Sequence, residues 1–379
     1  MRITIVQGAF LPVPPLLGGA VEKMWYGLAP EFVRAGHEVV YISRRFESLP
    51  HDEIVDGIRY IRVPAVDAPS SNLIYRVLDL LYAWRVRLRL PPADILITNT
   101  IWLPVLIRGA RFGKLCVHVA RYPKGQMRLY AHAARLQTVS RAVAAAIDAE
   151  YPAATPKVKV IPCYLSSDPP ALTEAEITAP REPCILYLGR IHPEKGLDLL
   201  VAAFGRFLAE TKSNWRLKLV GPTATRMGGG GDSYKTRLEA ACADFVERVD
   251  WLGFMGNADL NAICRRSSIF VYPSVAEKGE SFGLAPLEAM SQGCVSIVSD
   301  LACFRDFITD DKTGLVFDHR SSDPAGALCA QIRRVASDES MRQRLALAGY
   351  GKAREFTKEK VAAQYLADFA ELMQTPCSH

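Results

Sequence analysis

The segment Cys184-Ile185-Leu186-Tyr187-Leu188-Gly189-Arg190-Ile191-His192-Pro193-Glu194-Lys195-Gly196 reads as a short apolar strand, then a loop marked by Gly and Pro, then the start of a helix. Strand, loop and helix in that order form the repeating unit of a parallel α/β sheet, and ligands of such sheets collect at the carboxyl ends of the strands. Arg190 and Lys195 fall on that loop. Two cations beside a helix N-terminus suit a diphosphate. The same two charges are also compatible with the plain surface of a capped loop.

The same rhythm extends in both directions. Downstream, Leu217–Val220, Arg248–Leu252, Ile269–Tyr272, Val295–Val298 and Gly314–Phe317 read as strands with helical patterns between them. Upstream, Ile3–Val6, Val39–Ile42, Ile58–Val63, Ile95–Thr98, Leu115–Val119 and Val158–Ile161 do the same, with helices expected over Glu22–Ala35 and Leu73–Leu88. Residues 166–182 break the rhythm with Ser166-Ser167-Asp168-Pro169-Pro170 and Pro180-Arg181, the composition of a linker. The expected organisation is therefore a first α/β domain over 1–165, a linker over 166–182, a second α/β domain over 183–355, and a C-terminal stretch 356–379. That last stretch carries an amphipathic helix, Lys358–Met373, with Val361, Tyr365, Leu366, Phe369 and Leu372 on one side. A chain of 379 residues has room for two such cores. Gly228–Gly231 reads as a flexible loop tip, because no Lys-Ser/Thr follows to make a phosphate loop.

Composition narrows the function. No apolar run reaches membrane-spanning length, and the first ten residues read as a strand, so neither a spanning helix nor a signal peptide is expected. Nine scattered cysteines without a CxxC pair argue against a zinc or redox site and suit a reducing cytoplasm. Residues 1–175 hold 21 Lys+Arg against 14 Asp+Glu, while residues 176–379 hold 25 against 26. A basic first half suits an anionic partner such as a lipid-linked acceptor or a membrane surface, or is simply solvated. Within it, Tyr75–Leu90 sets Tyr82, Trp84, Arg85, Arg87 and Arg89 among Leu and Val. That is the make-up of an interfacial helix, and equally of a core helix with solvated arginines. No nucleic-acid partner, cofactor or metal is expected.

Two further segments lie at strand ends. Gly18-Gly19-Ala20 precedes the first helix, where backbone N–H groups can approach an anion, although a glycine pair serves as readily for a turn. It is not GxGxxG, which disfavours a dinucleotide. After strand Ile269–Tyr272 comes Glu280-Ser281-Phe282-Gly283-Leu284-Ala285-Pro286-Leu287-Glu288-Ala289-Met290. Glu280 is expected in the loop, Phe282-Gly283-Leu284 at the opening of a helix, and Glu288 within it. Two carboxylates suit a polyhydroxylated ligand, and the free N–H groups of the helix start suit a phosphate.

With Gly18-Gly19, Gly36-His37-Glu38-Val39, Gly189-Arg190 with Pro193-Glu194-Lys195-Gly196, and Glu280 to Glu288 in an E-x7-E pattern, the whole chain resembles the retaining GT-B glycosyltransferases of family 4. The resemblance implies two Rossmann-like domains with parallel sheets facing across a cleft, and a C-terminal helix crossing back to the first. It implies a nucleotide-sugar donor, UDP before GDP, and a saccharide or lipid-linked acceptor. Arg190 and Lys195 would hold the diphosphate, Glu288 the ribose hydroxyls, and Glu280 the transferred sugar with backbone groups of Ser281, Phe282 and Gly283. The Leu284 N–H would meet a phosphate, Gly19 would approach the diphosphate, and His118 would contact the donor sugar. This sequence departs from the family in Val119-Ala120-Arg121, where an acid often follows the histidine, in Leu301–Asp306, where a glycine-rich segment is usual, and in Gly221-Pro222 without the common acid. These departures bear on the sugar and the acceptor. No Asp-x-Asp occurs, so the expected reaction is metal-independent. A non-hydrolysing sugar-nucleotide epimerase and a binding-only nucleotide-sugar sensor are the rival readings.

Overall fold

The computed structural model describes residues 1–47 and 49–374, with the backbone alone at Asn257. The chain divides into two compact units: Met1–Tyr164 together with the stretch from Lys358, and Leu165–Thr357.

The first unit is built on eight strands: β1 (Arg2–Val6), β2 (Glu38–Arg44), β3 (Asp52–Val55), β4 (Ile58–Val63), β5 (Ile95–Thr98), β6 (Lys114–Val119), β7 (Arg135–Thr138) and β8 (Val158–Val160). Their order is β3-β4-β2-β1-β5-β6-β7-β8, parallel except for β3 against β4. Side chains alternate between the two faces. Ile3 and Ile5 of β1 join Trp25, Leu28 and Phe32 of helix α1 (Ala20–Arg34) and Val361, Tyr365 and Phe369 of the helix Lys358–Gln374 in one core. Val6 joins Leu115, Val117 and Val119 of β6 and Tyr82, Ala83 and Val86 of helix α2 (Asn72–Arg89) in the other.

Two strands of this sheet escape the hydrophobic pattern. In β7, Arg135-Leu136-Gln137-Thr138 is mostly polar yet buried throughout. Its cost is met across the core by the C-terminal helix: Arg135 pairs with Asp368 at 2.8 Å and Glu371 at 2.7 Å, and Gln137 Nε2 donates to Asp368 at 2.8 Å. The other, β3, is an exposed edge strand returned to β4 through Asp56-Gly57, both at positive φ. An Asp-Gly pair between strands is a strong hairpin signal, and it was there to be read.

The second unit holds six parallel strands: β9 (Glu182–Leu188), β10 (Arg216–Val220), β11 (Val249–Gly253), β12 (Ser267–Tyr272), β13 (Val295–Ser299) and β14 (Leu315–Phe317). The order is β11-β10-β9-β12-β13-β14. Strands run outward one way from β9 and the other way from β12, so the topological switch point lies between those two, where a ligand crevice is expected.

Residues 166–182, read from composition as a linker, are part of this unit. Thr173 and Glu176 form a reciprocal capping box on a short helix, Glu174–Thr178, which buries Ile177. Arg181 Nη2 donates to the Gln292 carbonyl at 3.0 Å. Pro and Ser punctuate the stretch because it turns often, while Ile177 and Arg181 fasten it to the unit. Gly228–Gly231 is likewise no loose tip. Gly229 N–H donates to Ala224, Gly230 N–H to Ile191 and Gly231 N–H to Thr223.

Candidate functional site

The loops after β9 and β12 meet at the switch point because a glycine permits it. Gly196 caps the helix Leu197–Thr211 at φ 69°, and a Cβ there would lie 2.0 Å from the Pro273 carbonyl oxygen just beyond β12. Only a residue without a side chain allows that approach. It brings Lys195 beside Glu280.

Lys195 Nζ donates to Glu280 Oε2 at 2.8 Å, with the two side chains 8% and 11% exposed. The ammonium also lies 5.5 Å from the centre of the Tyr272 ring, which stacks on Tyr187. Burial, reinforced by Glu280, pushes the Tyr272 hydroxyl well above its usual range, so it stays protonated. Arg190 is the outer cation, with its side chain 42% exposed. Its Nη2 donates to Glu194 Oε1 at 2.6 Å and its Nη1 to the Gly228 carbonyl at 2.7 Å. Glu194 Oε1 is in turn 3.9 Å from Lys195. The four charges form a chain of alternating sign, Arg190–Glu194–Lys195–Glu280.

That chain revises the expectation of two cations standing ready for a diphosphate. Each is already compensated. Arg190 can turn from Glu194 at small cost, because exposed pairs contribute less than about 1 kcal/mol. Lys195 is held in a buried pair whose rupture costs about 3–5 kcal/mol. The two residues therefore have different work open to them. Glu194 did not register in the sequence reading. Residues 190–192 are not helical, so no helical spacing marked the pair in advance.

The segment after Glu280 folds as the sequence suggests. Gly283, at φ 82°, caps a helix over Leu284–Ser291 with no side chain bonded at its N-terminus. A Cβ on Gly283 would come within 2.3 Å of the Phe304 ring. Phe282 is buried against Phe307 and Phe356. Ser281 and Leu284 are half-buried. Glu288, also half-buried, accepts from Ser166 Oγ at 2.5 Å. Ser166 comes from the stretch read as a linker and went unnoticed for that reason.

Gly19 and His118 belong to the first unit. Gly19 precedes α1 at φ 95°, where a Cβ would lie 2.1 Å from Glu22 Oε2. Glu22 is buried, and its carboxylate accepts from its own backbone N–H. Burial raises its pKa, opposed by that bond and by Arg121. The start of α1 thus already carries a negative group of its own, which the glycine pair in the sequence did not disclose. His118 lies within β6, 3% exposed, with its ring edge-on to Trp25 at 5.3 Å. Neither ring nitrogen has a hydrogen-bond partner among the described residues. Burial pushes its pKa down to about 3, so the ring is neutral at any ordinary pH. The ring the resemblance sets against the donor sugar is thus a neutral one whose two nitrogens are committed to no described residue.

Two family models match the chain: Glycosyl transferases group 1 over residues 172–352, and Glycosyltransferase Family 4 over residues 18–166. A phosphatidyl-myo-inositol mannosyltransferase of Mycobacterium leprae is 31% identical over 184 residues, which is 48% of this chain and 45% of that protein. The chain thus spans less than half the length of that curated relative. Among solved structures, a glycosyltransferase from Rickettsia africae superposes with a TM-score of 0.75 at 18% identity, covering 99% of this chain and 100% of the other. Anabaena Alr3699/HepE, solved in complex with UDP, does so with a TM-score of 0.72 at 15% identity, covering 98% and 100%.

Proposed function

From the premise that this chain belongs to the glycosyl transferases group 1 and has a GT-B fold, we propose that it is a retaining glycosyltransferase using a nucleotide-diphosphate sugar. UDP is the preferred nucleotide and GDP the next. The acceptor is a hydroxyl of a saccharide or lipid-linked saccharide in polysaccharide or glycolipid synthesis. The protein works on the cytoplasmic side, in peripheral contact with the membrane.

The observation that carries this reading is the meeting of Arg190, Lys195, Glu280 and the uncapped start of Leu284–Ser291 at the β9/β12 switch point. Transfer breaks the bond between the anomeric carbon and the diphosphate oxygen, and negative charge grows on the leaving group. Arg190, half-exposed, turns from Glu194 to the diphosphate. The N–H groups of Leu284 and Ala285 add fixed dipoles. Lys195 supplies its charge from beneath without leaving Glu280. Glu280, fixed by Lys195, presents its other carboxylate oxygen to the hydroxyls of the sugar and stabilises positive charge at the anomeric carbon. Glu288 exchanges the Ser166 hydroxyl for ribose hydroxyls. The new glycosidic bond forms on the face the diphosphate leaves, and the proton of the incoming hydroxyl passes to a donor phosphate oxygen. Because cations and helix dipoles neutralise the leaving group, the reaction needs no metal.

A thermal-shift panel of nucleotide sugars followed by transfer assays in EDTA tests this. A matching donor at 100 times its dissociation constant adds about 2.7 kcal/mol of stability, and turnover survives the chelator. Stabilisation by no nucleotide sugar refutes the donor class. Activity lost in EDTA and restored by Mg²⁺ or Mn²⁺ refutes the metal-free mechanism.

A further inference from the structure

Helix α2 has three kinds of surface. Asp79, Tyr82, Ala83 and Val86 face inward and are buried. Outward, Leu73, Val77, Leu80, Leu81, Trp84 and Leu88 are exposed, at 73%, 50%, 40%, 46%, 52% and 63%. At roughly 100° per residue these six fall within an arc of about 100°, nearly opposite the buried face. Arg76 and Arg87 fall along one border of the arc and Arg85 along the other. The one acid of the helix, Asp79, is turned inward, where its Oδ2 accepts from the backbone N–H groups of Ile101 and Trp102 at 3.2 and 3.0 Å. The exposed side of α2 is therefore an apolar stripe bordered by positive charge with no negative charge of its own.

A surface helix of a globular protein ordinarily turns its polar side outward. This one has a second apolar side, and from Leu73 to Leu88 it runs about 22 Å at about 1.5 Å per residue. The first unit exposes further apolar side chains on the loop after Phe10, at Leu16 and Leu17. No helix among the described residues is long and apolar enough to cross a membrane.

We propose that this face of α2 docks the protein on an anionic lipid bilayer, with the stripe sunk at the level of the headgroups and Arg76, Arg85 and Arg87 on lipid phosphates. The proposal gives the membrane contact proposed above a definite surface. It stands on geometry that is independent of what the enzyme transfers. Three features favour a bilayer over a protein. Two copies placed stripe to stripe would set arginine against arginine. The stripe is a single convex ridge, which a fluid surface accommodates without a matching groove. Trp84 at its centre is the side chain best suited to the boundary between water and lipid, and arginines reach headgroups while their stems lie along the apolar stripe.

The test uses the full chain and two sets of vesicles, phosphatidylcholine alone and phosphatidylcholine with phosphatidylglycerol. Co-sedimentation is expected with the anionic vesicles, falling at high salt, and Trp84 emission is expected to shift to the blue, read as the difference between wild type and Trp84→Phe. Replacing Leu80, Trp84 and Leu88 together by Ser abolishes the association. Replacing Arg76 and Arg87 by Gln weakens it about thirtyfold. All five side chains are exposed, so unfolding curves of the variants should match wild type. Equal binding to both vesicles, binding insensitive to these substitutions, or a blue shift that appears without lipid as concentration rises (which would assign the face to a second copy) each overturns the proposal. Vesicle binding is read without donor, so its failure leaves the glycosyltransferase reading untouched, and failure of the donor panel leaves the docking result untouched.

Discussion

In the second unit, the charged groups at the β9 and β12 strand ends hold one another: Arg190 on Glu194, Lys195 on Glu280. In the first unit, the strand ends carry polar groups that are buried with their polar atoms unmatched. Gln7 Oε1, Asn99 Oδ1 and both nitrogens of His118 have no partner among the described residues. Two of its buried acids, Glu22 and Asp79, are stabilised by backbone N–H groups, unlike Asp368, which pairs with Arg135. The second arrangement fixes charges ahead of a charged ligand, as electrostatic stabilisation of a leaving group requires. The first leaves acids whose protonation responds to their burial. The difference predicts that mutations in the second unit divide cleanly between turnover and folding, while the first unit responds to pH.

The largest effects should separate Arg190 from Lys195. Arg190→Ala should lower turnover by ~10²–10³, the scale of one lost transition-state donor, with unfolding nearly unchanged, since both side chains of its pair with Glu194 are more than a third exposed. Lys195→Met leaves Glu280 buried without its cation and should cost about 3–5 kcal/mol of stability. Urea unfolding beside initial rates reads both. If the two variants lose stability equally, the division into an outer working cation and an inner fixed one is broken.

Next in size is Asp79. Burial lifts its pKa from 3.8 to about 6, against the opposing effect of the Trp102 and Ile101 N–H bonds. A raised carboxyl pKa means that the folded state holds the proton more tightly than the unfolded one. The stability this gives is complete below the unfolded pKa and is lost as pH rises through about 6. A shift of about two units corresponds to about 3 kcal/mol. Asp79→Asn keeps an amide oxygen for the same N–H groups and removes the titration. The variant should therefore lose the decline in stability that wild type shows between about pH 4 and 6. Parallel pH profiles for the two proteins would show that this carboxylate does not titrate as its burial implies.

The comparison also explains what could be read in advance. Parallel strands buried on both faces appear as apolar runs, so β1, β5, β9, β12 and β13 were legible, as was the C-terminal helix through its period. β7 was not, because its Arg135 and Gln137 make sense only beside Asp368, more than 230 residues away. Local pattern holds no trace of so distant a partner. The same limit governed the site. Arg190, Lys195, Glu280 and Glu288 stood out as residue types at strand ends, but whether Lys195 was free or paired depended on Gly196 touching Pro273 across two loops. His118 was legible as a strand-end histidine and not as an enclosed one, since Trp25, which covers it, comes from a helix far upstream.

The smallest effects sharpen the comparison most, because they separate the two carboxylates of the second unit. The Ser166 hydroxyl already donates to Glu288 as a ribose hydroxyl would. Glu288→Gln should therefore weaken a free nucleoside diphosphate by about tenfold, the size of one hydrogen bond to a charged group. In the proposed mechanism Glu280 faces the sugar, which the free diphosphate lacks. Glu280→Gln keeps an acceptor for Lys195 Nζ, so the loop geometry should hold, but it removes the charge that Lys195 was compensating. The chain Arg190–Glu194–Lys195 is then left with a net positive charge beneath the phosphates. The diphosphate should bind this variant at least as tightly as wild type, even though transfer is slowed because the sugar has lost its carboxylate. Calorimetric titration of both variants with UDP and GDP decides the matter. Equal weakening in the two would mean that Glu280 holds the nucleotide rather than the sugar. Tighter binding by the Glu280 variant alone would mark the buried pair as the device that keeps the empty site neutral until a diphosphate arrives.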